Sequence, residues 1–338
     1  MSDFSKEEKN ILQHLKAGRW TDVEQIAFAI EGDSVNIELR DDVLKITRFW
    51  QKRLDLFIYD DEHSGKKLFA EWEHFVDFCC EYGIREPVIF LATKSFVLKK
   101  IIDFLTKTSR EKNNTSREIL VFLAYAFYEA EMIDRAVETL EFILGRFQDE
   151  NDSRVYTLLG DLYAEIYSDN HPKRDLAVIM FNELFLKCIN DVDVNNIEYP
   201  DIQKLAQGVR ADHFSENEVK YWIPIYGYLY GGLTVRRNLR YEEYKKLQDL
   251  ISSLEADVRE NENIEILVPK LLNVYFWVFD YYVYQMKTLG GATQICRRVL
   301  ELLAILYHVP GYEESVYKLG LHAEKVLDML LKTAQNYK

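Results

Sequence analysis

The chain has 338 residues, with 42 lysines and arginines against 56 aspartates and glutamates, a formal net charge of −14. That surplus of acid argues against a general affinity for nucleic acid or anionic membrane. A composition of 48% hydrophobic and 14% aromatic residues excludes disorder throughout, and fourteen glycines and six prolines are too few for a turn-rich β architecture.

Residues 1–9 carry no basic n-region and no apolar run, so no secretory signal is expected and a cytoplasmic location follows. From there the pattern is helical almost throughout. Apolar residues at three- and four-residue spacing predict helices over 4–17, 20–31, 36–58, 65–82, 87–107, 116–130, 133–147, 153–167 and 174–189. The same spacing continues over 216–231, 240–258, 264–288, 291–307 and 312–335. Capping boxes at Ser5/Glu8, Thr21/Glu24, Thr115/Glu118 and Ser215/Glu218 mark helix starts, and Pro87 stands where a first turn begins. No segment alternates strictly between hairpin turns, so the fold class is all-α.

An irregular stretch over 190–214, with Pro200 and a run of Asp and Asn, is the expected boundary between an N-terminal region, 1–190, and a C-terminal region, 215–338. The most apolar stretch, 267–286, is broken by Lys270 and Asp280, whose central charges oppose insertion into a bilayer. It is read as the central helix of a core, in a protein that is not integral to a membrane. Cys79, Cys80, Cys188 and Cys296 form no CxxC or Cys/His ladder and are read as ordinary buried thiols.

A repeat appears in the middle of the chain. Leu123, Ala124 and Phe127 recur as Leu159, Gly160 and Tyr163 at one constant spacing. Ala136, Leu140 and Ile143 recur as Ala177, Phe181 and Leu184 at a second, longer one, the difference being an enlarged turn around residues 168–172. Small residues let two helices approach closely, and the aromatic fills the groove beside them. This pattern over 117–189 resembles the tetratricopeptide (TPR) repeat, with a weaker echo in the first 31 residues. The resemblance implies antiparallel hairpins stacked as a TPR-like solenoid or superhelix, whose inner, concave binding wall is made by helix A through the face opposite its packing residues. Carried over residue by residue, that wall comprises Glu118, Val121, Tyr125, Tyr128 and Glu129 from the first unit, and Arg154, Thr157, Asp161 and Glu165 from the second. TPR proteins that clamp C-terminal carboxylates place Lys and Asn on this wall. Val121, Tyr125, Thr157 and Asp161 stand there instead, so that ligand class is disfavoured.

Signs of chemistry are sparse. Glu71 and His74 make one Glu-x-x-His, but a di-iron bundle needs a second, and the nearest echo, Asp60/His63, falls in a loop. Asp191, Asp193 and Asn195 have the opening spacing of a calcium loop, but Asn196 and Ile202 stand where glycine and glutamate are required. The glycine-bearing run 227–232 lacks the strand that a phosphate loop follows. Arg236, Arg237, Arg240, Lys245 and Lys246, with Tyr241 and Tyr244 among them, could serve single-stranded nucleic acid. They are read instead as a solvated face pairing with Glu242, Glu243 and Asp249. No catalytic residue, metal or cofactor is assigned. The reading is a non-enzymatic scaffold or adaptor that binds a protein through a basic or amphipathic segment. The alternative is an all-α enzyme or ligand-binding regulator with an unrecognised site.

Overall fold

With few glycines or prolines to interrupt the apolar periodicity, helices run through nearly the whole chain. The computed structural model of the protein describes residues 6–30, 34–58, 61–84, 86–111, 116–148, 150–167, 171–260 and 263–336, and no strand occurs among them. Ser5 and Thr115 among the expected caps, Asp60, and residues 168–170 of the enlarged turn lie outside those described. Contacts divide the chain into two compact units, Met1–Asp149 and Glu150–Lys338. The 190–214 stretch, expected to separate two regions, lies inside the second.

The first unit contains α1 (Lys6–Lys16), α2 (Trp20–Phe28), α3 (Ser34–Gln51), α4 (Glu62–Glu81), α5 (Pro87–Glu111), α6 (Arg117–Glu129) and α7 (Ile133–Arg146). Helix α1 packs on α2 and α2 on α3, α4 packs on α5, α5 on α6 and α6 on α7, and α1 also packs on α5. Aromatic rings fill the junction of α2, α3 and α5: Trp20 lies 6.2 Å from Trp50 and 5.6 Å from Phe96. Gly18 makes the α1–α2 turn with φ +65°, and the Phe96 ring occupies the space where a Cβ would stand. Helix α4 is capped by Asp61, which accepts the Ser64 N–H at 2.8 Å, and α6 by Ser116, which accepts the Ile119 N–H at 3.3 Å.

The second unit contains α8 (Ser153–Ile166), α9 (Asp175–Lys187), α10 (Pro200–Ala211), α11 (Val219–Leu229), α12 (Tyr241–Arg259), α13 (Ile264–Asp280), α14 (Leu289–Leu306) and α15 (Glu313–Asn336). Its centre is α13, which packs on α11, α12 and α14 and is buried from Val268 to Phe279 except at Lys270. The expected core helix is therefore core. Among the described residues no helix is long and apolar enough to cross a membrane. In the hairpin of α8 and α9, Gly160 faces the fully buried Phe181 ring, 2.8 Å from where its Cβ would be. Ala124 in α6 and Ala136 in α7 are fully buried as well.

Several expected elements differ. The 190–214 stretch holds two short 3-10 turns and α10, because Pro200 opens a helix at its first position rather than breaking one. Helix α2 begins at Trp20, one residue before the expected Thr21 cap, with Arg19 at the N-cap and no side chain capping it. The 36–58 helix stops at Gln51 and gives way to a 3-10 turn, Leu54–Phe57. The 264–288 helix passes at Asp280 into a π turn, Tyr281–Gln285. Cys80 is exposed, against expectation, since adjacent residues on a helix point to different sides. Its neighbour Cys79 is buried, which pushes its thiol up to about 12.

Candidate interaction surface

The residues expected to form a binding wall are largely engaged within their own units. On α6, Glu118 is exposed and ion-paired with Lys66 of α4, which also holds Glu62 at 2.9 Å. Val121 is 1% exposed, a packing residue and not part of an open wall, because α6 packs against α4 and α5 as well as α7. Tyr125 and Tyr128 are half-buried and both have interaction partners. Glu129 lies 3.6 Å from Lys94 of α5.

Glu129 nevertheless borders a real depression. A groove of about 440 Å³ runs between α5 and the turn joining α6 to α7, lined by Leu91, Lys94, Leu98, Ile102, Glu129 and Met132 among others. Leu91 is 52% exposed and Met132 37%, so two large apolar side chains meet solvent at one groove. The local backbone explains Met132. The Glu131 N–H bonds to the Tyr128 carbonyl at 2.8 Å and the Met132 N–H to the Phe127 carbonyl at 2.9 Å, closing α6 with Glu131 at φ 60°. Helices commonly end this way, with a glycine in the left-handed position, and here a glutamate occupies it. The closure sets Met132 at the rim. Next to it Arg135 stacks its guanidinium 4.4 Å over Phe127.

On α8 the expected residues divide similarly. Arg154 forks onto Asp152, Nε to Oδ1 at 3.1 Å and Nη2 to Oδ2 at 2.9 Å. Thr157 is half-buried and Glu165 is exposed. Asp161 accepts the backbone N–H groups of Glu198 and Tyr199 at 3.1 and 2.8 Å, anchoring the segment that leads into α10. Burial outweighs those two N–H donors and raises its carboxyl to about 6.

The expected basic face is solvated only in part: Arg240, Lys245 and Lys246 are exposed at the start of α12, with Arg240 paired to Glu243 as expected, whereas the Arg236 side chain is buried. The segment 233–240 runs without helix beside α9 and α13 and is tied down along its length. Asn182 donates to the carbonyls of Leu233 and Val235 at 3.3 and 2.7 Å. Arg236 is buried against Asp280, and its guanidinium lies 4.5 Å over Tyr228 and 5.4 Å over Trp277. Arg237 holds Glu183 at 2.7 Å and Glu243 at 2.6 Å, keeping the Glu243 carboxyl down at about 2. Gln285 brackets Leu239, accepting its N–H at 2.8 Å and donating to its carbonyl at 2.9 Å. Elsewhere, Glu71 and the exposed His74 stand 3.6 Å apart, with Glu71 also on Arg53. Among the described residues no group of three potential metal ligands occurs.

No family model matches the chain, and neither the curated proteins nor the solved structures contain a match.

Proposed function

We propose that this protein is a non-enzymatic interaction module, a scaffold or adaptor, whose TPR-like hairpins offer the groove between α5 and the α6–α7 turn to an amphipathic segment of a partner protein. The close α8–α9 contact at Gly160, and the burial of Ala124 and Ala136, support the TPR-like reading of the two hairpins. The observation that carries the function is the pair Leu91 and Met132, half-exposed on either side of a groove of about 440 Å³. An amphipathic helix laid in such a groove buries its apolar anchors there and sets its polar residues against the rim. The rim carries Lys94 and Arg135 as well as Glu129 and Glu131, which favours a segment with both signs of charge over a purely basic one.

Site-specific photo-crosslinking in cells tests this reading. A photoreactive residue at Met132 is expected to capture one amphipathic segment, identified by mass spectrometry. The adduct should disappear with Leu91→Asp, and should not form from Phe142, an exposed position on α7. The same adducts from both positions, or capture that survives Leu91→Asp, would refute the assignment.

A further inference from the structure

We propose that a recess in the second unit, between α10, the end of α11 and the Gly231–Gly232 corner, binds an organic cation: a guanidinium or alkylammonium group on a short apolar stem. The cavity holds about 570 Å³ and is walled by Leu205, Tyr226 and Tyr230, with Asp201 and Asp212 as its carboxylates. The two tyrosine rings lie 5.3 Å apart and are tilted by 43°, so they form two sides of a wedge.

Both rings are fixed before any ligand arrives. The Tyr226 hydroxyl donates to Asp212 Oδ2. Tyr230 is stacked on His322, with centroids 4.3 Å apart and planes 7° from parallel, and His322 Nε2 is 2.9 Å from the Leu229 carbonyl. Tyr230 is still 51% exposed, so one face is covered by the histidine while the ring remains accessible. Gly231 and Gly232 have φ +93° and +99°, where a side chain is strained, and their lack of one keeps this side of the recess open. Preformed walls spare a ligand the cost of ordering them.

The electrostatics select the sign of the ligand. Tyrosine faces carry the negative part of the ring quadrupole and attract cations. Lys204, the lysine lining the recess, is held at 2.9 Å by Asp201, and Lys318 of α15 at 2.6 Å by Glu314. Asp212 makes no direct ion pair: its Oδ2 accepts from the neutral Tyr226 hydroxyl, and Lys318, held by Glu314, acts on it only from a longer range. An anion would meet that carboxylate and two electron-rich faces. A cation with an apolar stem meets complementary charge, aromatic faces and Leu205. This inference concerns the second unit and does not rest on the groove of the first.

A free small cation and a lysine or arginine side chain displayed by a protein present the same chemistry, and calorimetric titration of the full chain separates them. The probes are agmatine, the peptide acetyl-Ala-Ala-Arg-Ala-Ala-amide, and the same peptide with neutral citrulline for arginine. The cationic probes are expected to bind about tenfold or more tightly than the citrulline peptide. Tyr230→Ala should weaken them by about tenfold while Tyr230→Phe stays within about threefold, since phenylalanine keeps the ring face. Asp212→Asn should weaken binding and flatten its dependence on salt. Tighter binding of agmatine assigns the recess to a free cation, and tighter binding of the arginine peptide assigns it to a displayed side chain. Absence of saturable binding at millimolar probe, equal binding of the citrulline peptide, or indifference to Tyr230→Ala in a variant with unchanged circular dichroism would overturn the proposal. Should Asp212→Asn fail to fold, the comparison of the two Tyr230 variants decides alone.

Discussion

Arg236 Nη1 and Asp280 Oδ2 lie 2.9 Å apart inside the second unit, with the arginine side chain 2% exposed and the aspartate side chain 13%. The Tyr228 hydroxyl donates to the other carboxylate oxygen at 2.8 Å. Arg236 Nε and Nη2 have no hydrogen-bond acceptor and lie instead among aromatic faces. Burial pushes the Asp280 carboxyl up even with the guanidinium opposing it. A pair so placed costs a great deal to desolvate, and it is tolerable only while both partners remain.

Removing one partner should therefore be worse than removing both. Asp280→Ala is expected to destabilise the protein by about 3–5 kcal/mol, because it strands a buried guanidinium. The double variant Arg236→Met, Asp280→Leu should cost clearly less than either single change. Urea unfolding of the wild type, Arg236→Met, Asp280→Leu and the double variant checks this, and a double variant as unstable as the sum of those two singles would contradict it.

Gly160 should not accept even one methyl group. Its Cβ would stand 2.8 Å from the Phe181 ring, which is fully buried and stacked on Tyr199 with centroids 5.4 Å apart. Alanine gains about 1 kcal/mol in helix propensity over glycine. Overpacking costs about 1–3 kcal/mol, and against a ring with no room to move the upper part of that range applies. A lower melting temperature for Gly160→Ala, and a larger fall for Gly160→Leu, are the expected results.

Glu131 predicts a change of the opposite sign. It holds φ 60° at the end of α6, a conformation that costs a residue with a side chain about 1 kcal/mol relative to glycine. Glu131→Gly should raise the unfolding midpoint modestly and leave the Met132 crosslink intact. Loss of stability would mean that the glutamate makes a compensating contact.

Asp161 gives a dependence on pH. Its carboxyl is raised to about 6 in the folded protein from an ordinary value near 3.8. Between those two values the native state holds a proton that the unfolded chain has released, so stability from this group rises as pH falls. It is complete below pH 3.8 and lost as pH climbs through 6. Asp161→Asn removes the titration. Relative to that variant, the wild type should gain stability on going from pH 7.5 to 5, read by thermal unfolding at a series of pH values. A constant difference between the two would show that the carboxyl titrates at its ordinary value.

The helices were legible because apolar spacing and sparse breakers act locally, and Gly160 was legible because a small residue recurring at one place in a hairpin has a packing reason. The α6 face was harder to read. Periodicity marks Val121 as apolar, but whether it faces solvent depends on α4 and α5, which approach α6 only in the folded unit. Pro200 was ambiguous for a different reason, since the same residue breaks a helix from within and opens one from its first position. Arg236 was read as solvated because its neighbours in sequence are charged. Its burial comes from Asp280, Tyr228 and Trp277, which are remote in the chain. The wedge of Tyr226 and Tyr230 likewise needs His322 and Asp212, and no short motif contains all four.

The bracket that Gln285 places on Leu239 has a consequence for how this protein behaves in a crowd. An extended segment lying on helices exposes a row of backbone donors and acceptors, a template on which a strand from another molecule could add. Gln285 occupies both groups of Leu239, and Asn182 takes the carbonyls of Leu233 and Val235, so much of that row is already spoken for. Two side-chain amides thereby do the work of a neighbouring strand and deny the edge to intruders. Gln285→Glu leaves an acceptor where a donor is needed and frees the Leu239 carbonyl, and faster self-association on mild heating is the result to look for.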